Sequence, residues 1–367
     1  MAQPGSPPSA PDAAPEQGAE SVGARAGAGV AWLTVQTWVV RILSLVTIAI
    51  LTRVLGPEDF GTVAAASTVL PFFFLLADLG FASYIVQVAK TDQRMLSTAF
   101  WFSAIAGVVL CGVLVAMSPA WAVAFSSAKV VPVMQVLSLT VVFTAAGSLP
   151  IALLRRAMRF RILAIQGAVA AALAQVTAII MTLSGFGVWA LVGQTLVSPA
   201  VSCVFAWVSA RWRPSFTFSG SQFWKMCRYG GQVLGVEFIA MVRRSGEAAI
   251  VSSVLGIAAL GYLNIAQRLI QITQDLTGGA VIPVSTVAFA KIRESKERLN
   301  AAYLRALRVT YAAMSPPLTL LAIAAPVIVP IVFGDGWAPS YQVAQVLALA
   351  ATLTVAAALD HGLFYGL

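Results

Sequence analysis

Charge is scarce in this chain. Asp, Glu, Lys and Arg make up 10% of its 367 residues, against about 25% in an ordinary soluble domain. Histidine is scarcer still. His361 is the only one, which excludes any site built on several imidazoles and leaves that residue a structural or interfacial reading. The three cysteines, Cys111, Cys203 and Cys227, are scattered without pair spacing, so neither a disulfide framework nor a metal centre is indicated. There is no glycine-rich phosphate loop and no nucleophile–base constellation, which argues against ATP use and against catalysis. No cofactor is implied.

Hydrophobic residues, by contrast, make up 59% of the chain. A globular core has no use for that much apolar surface, whereas a bilayer is crossed by helices of roughly 20 apolar residues each. Backbone polar groups find no partner in lipid, so the spans must be helices or a closed barrel. The runs are too long and continuous for the ten-residue alternation of barrel strands. Ten helical spans are read at 30–54, 61–88, 97–117, 131–154, 162–183, 188–209, 231–254, 261–290, 309–333 and 341–365. Residues 1–29, rich in Ala, Pro, Gly and Ser, lack the pattern of a signal peptide and read as a disordered cytoplasmic tail.

The net charge of +9 does not point to nucleic acid, because the basic residues sit in loops between apolar spans instead of on a soluble face. They fall in alternate loops. One side holds Arg25, Lys90 and Arg94, the cluster Arg155 to Arg161, then Arg211, Arg213, Lys225 and Arg228, and finally the run Lys291 to Arg308. The opposite loops hold Lys129, with Arg53 at a span edge. The excess marks the cytoplasmic side and puts the N-terminus there, in an inner membrane. The Arg155–Arg161 loop, with Phe160, is also suited to lipid headgroups. The far-side loops are too short to fold into a catalytic domain.

The chain repeats itself. Val54-Leu55-Gly56 with Gly61 recurs two hundred residues later as Val254-Leu255-Gly256 with Gly261. Phe125 and Gln135-Val136-Leu137 are matched in order by Phe333 and Gln345-Val346-Leu347. Spans 1–4 therefore correspond to spans 7–10. The repeat unit is six helices, an even number that makes the copies parallel in topology. This divides the chain into an N-lobe at 30–210, a cytoplasmic connector at 211–230 and a C-lobe at 231–367 that stops after four helices.

Three stretches carry a resemblance to a known family. They are Leu51-Thr52-Arg53-Val54-Leu55-Gly56-Pro57-Glu58-Asp59-Phe60-Gly61, Leu76-Ala77-Asp78-Leu79-Gly80-Phe81 and Val254 to Tyr262. Together they resemble the polysaccharide-transporter branch of the superfamily that also holds multidrug exporters and exporters of lipid-linked cell-wall precursors. The resemblance implies an all-α fold of two pseudo-symmetric lobes, with the second incomplete here. It further implies transport of an undecaprenyl-diphosphate-linked oligosaccharide across the inner membrane by alternating access. The partners implied are that lipid-linked substrate, membrane lipids and other polysaccharide-assembly proteins.

Such a substrate needs cations for its diphosphate and hydrogen-bonding groups for its sugars. Arg41 lies near the middle of span 1, and Arg243 and Arg244 near the middle of span 7. A charge at that depth costs about 2.5–3.5 kcal/mol even on a lenient scale, so it must face protein or a hydrated cavity. On span 8, Asn264, Gln267, Arg268, Gln271, Gln274 and Asp275 share one sector at about 100° per residue. Arg41, Arg243, Arg244, Gln267, Arg268, Gln271 and Gln274 are the candidate substrate-binding residues. Asp78, Asp275 and Glu237 are candidates for coupling to a proton or sodium ion. Neutralising pairs, Arg243 with Glu247 and Arg268 with Asp275, are the structural alternative. Two other functions are weighed: a small-molecule exporter of the same superfamily, and a membrane glycosyltransferase or polymerase. The arginine and glutamine content favours an anionic, sugar-bearing substrate.

Overall fold

The computed structural model describes residues 40–88, 91–278 and 296–366, so the N-terminal tail lies outside the described residues. Those described are helical, with no strand among them. Helix α1 covers 40–54, followed by α2 (Pro57–Ser67), α3 (Leu70–Asp78) and α4 (Phe81–Gln87). Next come α5 (Gln93–Ala124), α6 (Val130–Leu137), α7 (Leu139–Arg156), α8 (Phe160–Leu183) and α9 (Trp189–Ala210). The remainder is α10 (Gly220–Leu255), α11 (Ile257–Gly278), α12 (Lys296–Phe333) and α13 (Pro339–Gly366). Among the described residues, six helical stretches are long and apolar enough to cross a membrane. The shortfall from ten falls on helices that carry charge, such as α10 with Glu237, Arg243, Arg244 and Glu247, or that run partly outside the described residues, such as α1.

The second expected span is where the helical reading needs most correction. Its 61–88 stretch is not one helix but the continuation of α2 through α3 and α4. Pro71 sits in the first turn of α3, where a missing N–H costs nothing. The α3–α4 break falls at Leu79 and Gly80, both left-handed at φ 48° and 71°. Gly80 adopts that conformation without penalty, whereas Leu79 is held in it as the C-cap of α3, its N–H donating to the Leu75 carbonyl at 2.7 Å. Span 4 likewise divides at Ser138 into α6 and α7. In the other direction, the basic run before span 9, where it is described, continues into a single 38-residue α12.

Helix α2 begins on sequence grounds alone. Pro57 fixes the first helical φ, Glu58 and Asp59 favour the positive end of the dipole, and the Gly56 N–H donates to the Asp59 carboxylate at 3.3 Å. The start of α2 packs against the start of α11. A Cβ built on Gly61 would lie inside the Ile257 carbonyl, and one built on Gly261 inside the Pro57 carbonyl. The repeated glycines thus face each other's helices reciprocally, and only glycine allows so close a backbone approach.

Beside this contact, Trp337 is fully buried and donates its indole N–H to the Thr52 carbonyl at 2.9 Å. Phe60 and Tyr262 meet it edge-on at 5.0 and 6.0 Å. Ile48, Leu51, Leu55 and Phe60 share one apolar cluster with Ile265, Leu269, Leu318 and Phe333. The core therefore joins the two sequence halves near the Gly56/Gly256 end, and leaves room between helices toward the arginine-rich end.

Candidate functional site

That room is a cavity of about 790 Å³. Its walls come from α1, α3, α7, α8 and α9, with Arg268 of α11 projecting in from the second half of the sequence. It runs from Ser67, Thr140 and Gln194 in the middle of the bundle to Ala82 and Arg155 at the arginine-rich end. The Gly61–Gly261 contact lies at the opposite end.

Besides Arg155 at its end, two arginines stand inside it. Arg41 of α1 pairs with Asp275 of α11. Arg268 donates from Nη2 to the Ser44 hydroxyl, one turn along α1 from Arg41. The Arg268 Nε is buried and has no hydrogen-bond partner among the described residues. A guanidinium with a free donor in a cavity is a ready receptor for an anion, and phosphate oxygens match its fork. Asp275 pairs with Arg41, not with Arg268 as the alternative pairing had it, so among the described residues Arg268 is left without a carboxylate.

Hydroxyls and amides supply the rest of the lining, and residue-by-residue inspection for charge does not find them. Thr140, Thr144 and Ser148 recur every fourth residue on α7, as Gln194, Ser198 and Ser202 do on α9. Four-residue spacing puts each set on one helix face. Gln194 donates its amide to Gln175 across the cavity floor. The periodicity was the available signal; uncharged residues in an apolar helix attract less notice than arginines.

The other candidates are distributed elsewhere. Asp78 is half-buried at the α3–α4 break, where its carboxylate accepts from the Ala82 N–H at 3.1 Å and contacts Ser148. It caps the start of α4. Arg244 pairs with Glu237 at 3.3 Å and lines a separate pocket of about 270 Å³ with Glu247, Asn264 and Gln267. Arg244 and Arg268 therefore do not share the single cavity expected of them. The α2/α3 line of contact with α11 stands between, and Asn264, Ala64 and Ser67 touch both sides of it. Arg243 lines none of these spaces. Its side chain is 71% exposed and pairs with Glu247 at 3.7 Å, so the neutralising alternative holds there. Gln267, Gln271 and Gln274 turn away from Arg268, into a shallow depression of about 260 Å³ between α11 and α13. The polar sector of span 8 is thus split by the helix between two spaces: its Arg268 edge faces the main cavity and its glutamine edge faces outward. Among the described residues, no cluster of His, Cys, Asp and Glu is suited to a metal.

Comparison with known proteins follows the same lines. Residues 50–342 match the family model described as "Polysaccharide biosynthesis protein". The succinoglycan biosynthesis transport protein ExoT of Rhizobium meliloti is 29% identical over 309 residues, covering 84% of this chain and 62% of that protein. The lipopolysaccharide biosynthesis protein WzxC of Escherichia coli is 23% identical, covering 89% and 66%. The chain thus spans under two thirds of the length of each of these relatives. Among solved structures, the lipid II flippase MurJ in an inward closed conformation superposes with a TM-score of 0.70 at 15% identity, covering 91% of this chain and 74% of that one. An inward-facing multidrug transporter of the MATE family gives 0.67 at 17% identity, covering 89% and 82%. At such identities the likeness is one of fold, a multi-pass helical membrane fold.

Proposed function

This chain belongs to the family of polysaccharide biosynthesis proteins, and from that membership we propose that it moves an undecaprenyl-diphosphate-linked oligosaccharide across the inner membrane. The observation that carries this reading is the pairing, in one cavity at membrane depth, of two arginines with rows of hydroxyls and amides. Arginine is expensive at that depth. Arg268, buried with a free Nε, suits the diphosphate. The α7 and α9 hydroxyls and amides suit sugar hydroxyls, which donate and accept alike.

The same geometry supports a direction. The N-terminus and the arginine-rich loops are cytoplasmic in this reading, so the cavity opens inward and the Gly61–Gly261 contact closes the far end. The N-lobe at 30–210 and the C-lobe at 231–367 would rock about that contact, breaking it to open the other way. The names of the relatives, in succinoglycan and lipopolysaccharide biosynthesis, agree with a sugar-bearing cargo.

The test is polymer export in producing cells that depend on this protein, with its membrane abundance measured alongside. A charge-assisted hydrogen bond contributes about 1.5–3 kcal/mol, so Arg268→Ala and Arg41→Ala should each lower export about tenfold or more. Arg268→Lys should restore only part of it, because a point charge lacks the bidentate fork. Arg243→Ala, on the exposed flank, should export as the parent does. Normal export by both cavity variants at normal abundance would end this reading, as would a transport defect confined to small cationic drugs.

A further inference from the structure

The outward depression between α11 and α13 has the register of the main cavity. Its α11 lining falls at positions 267, 270, 271 and 274, and the α2–α3 lining of the main cavity falls at 67, 70, 71 and 74. Its α13 lining falls at 347, 350, 351 and 354. The main cavity takes 140, 143, 144 and 147 from α7, each 207 residues earlier. Every residue lining the depression therefore has a counterpart lining the main cavity. The sequence match between Gln135 and Gln345 gives 210 for this second offset, and the difference is about one helical turn, which keeps the same face inward. The two smaller pockets beside the α2–α11 contact repeat the relation, with 44, 48, 64 and 67 in one and 244, 248, 264 and 267 in the other.

Equivalent position does not mean equivalent chemistry. Where the main cavity has Ser67, Pro71 and Phe74, the depression has Gln267, Gln271 and Gln274. Arg41, Arg155 and Arg268 line the former, and among the described residues no charged one lines the latter. If α11 crosses the membrane as the flippase reading requires, three amides on one of its faces do not belong against hydrocarbon, since an unpaired amide there is costly. Each offers a carbonyl and two N–H donors, the complement of a sugar's hydroxyls. Without a cation, the surface lacks the charge-assisted hydrogen bonds with which the arginine-lined cavity holds a phosphate.

We infer that this depression is a second half-site of the transporter, a cation-free surface that takes the neutral glycan of the substrate while the arginine-lined cavity takes its diphosphate. The inference rests on the flippase reading and assigns its two chemical parts to the two register-related surfaces. Gln267 also borders the separate pocket that holds Arg244 and Asn264.

The test uses the protein purified from producing cells and two probes: the lipid-linked oligosaccharide extracted from those cells, and undecaprenyl diphosphate itself, which has no glycan. Binding is measured in nanodiscs for the parent, for Q267L/Q271L/Q274L and for Arg268→Ala. The triple variant should bind the glycan-bearing lipid tenfold or more weakly and the bare diphosphate as the parent does. Arg268→Ala should weaken both. If the triple variant binds both probes normally, or loses both together, the glutamines are not a glycan half-site, and the flippase reading stands untouched. If the parent binds neither probe, the flippase reading itself fails. The single variant Gln271→Leu guards against misfolding of the triple one. Its affinity for the glycan-bearing probe should fall by a few-fold with that for the bare lipid unchanged, and an affinity for the glycan-bearing probe equal to the parent's would also overturn the half-site.

Discussion

Gly61 and Gly261, two hundred residues apart in sequence, each occupy the one place on the partner helix where a methyl group would enter a backbone carbonyl. The contact is reciprocal. Gly61 lies against Ile257 and Gly261, while Gly261 lies against Pro57. A repeat legible in the sequence as Gly-x4-Gly is thus a clasp in the fold, formed by the first turns of α2 and α11.

The clasp should fail on the smallest side chain. Gly61→Ala or Gly261→Ala must part the two helices, and overpacking of this kind costs about 1–3 kcal/mol. If the clasp closes the far end, Ser67→Cys should then react with a membrane-impermeant maleimide added from the Glu58 side, where the Ser67→Cys variant alone stays protected. Equal protection with and without the alanine would show that something else forms the closure.

Trp337 makes a second, independent lock on the same end. It fills a fully buried position between Phe60 and Tyr262 and bonds the last turn of α1. Trp337→Ala should lower stability in detergent by about 3–5 kcal/mol, the usual cost of emptying such a site. Trp337→Phe keeps most of the packing and loses one hydrogen bond, so it should cost about 1–3 kcal/mol for the carbonyl left unpaired. Thermal unfolding of the two variants checks the order, and an equal loss in both would show that packing contributes little.

Much of this was written in the sequence because apolar run length and glycine spacing are local signals. The helical membrane class and the paired hairpins at Gly56 and Gly256 are of that kind. The breaks at Leu79-Gly80 and Ser138 were not legible, because an apolar run looks the same whether its backbone is continuous or interrupted. The partners of the charges were hidden for another reason. Arg268 and Asp275 sit two turns apart on one face of a helix, yet Asp275 meets Arg41 of α1, a choice made by tertiary approach. Helix periodicity likewise placed the span 8 glutamines and Arg268 in one sector. It had no means of showing that α11 would be wedged between two spaces.

The alternation of basic and non-basic loops makes a topological prediction. Reporter fusions after Arg159 should signal cytoplasm, and fusions after Glu58 and Asp335 should signal periplasm, as the positive-inside rule requires. Lys129, the basic residue of a far-side loop, pairs with Glu58 at 3.2 Å in an exposed ion pair, so its charge is offset and does not spoil the asymmetry. Reversed signals at two of the three sites would turn the main cavity to face the periplasm.

Arg41 and Asp275 tie the first helix of the chain to α11 inside the cavity, with their side chains 27% and 32% exposed. Removing one partner leaves the other charged and incompletely solvated, at a cost below the roughly 3–5 kcal/mol of a fully buried pair because about a third of each side chain still meets solvent. Removing both avoids that penalty. Arg41→Ala and Asp275→Ala should therefore each destabilise the purified protein more than the double variant does, a coupling that a double-mutant cycle reads directly. Transport should behave differently. If Arg41 also meets the substrate's diphosphate, the double variant regains stability but not export, because the cavity then lacks the guanidinium beside Arg268. Asp275→Asn sharpens the distinction: it frees Arg41 from its carboxylate and preserves the shape of the side chain. Binding of undecaprenyl diphosphate should tighten in that variant, since the lipid no longer competes with Asp275 for the guanidinium. Unchanged binding in Asp275→Asn, together with additive stability losses in the cycle, would reduce the pair to an incidental contact.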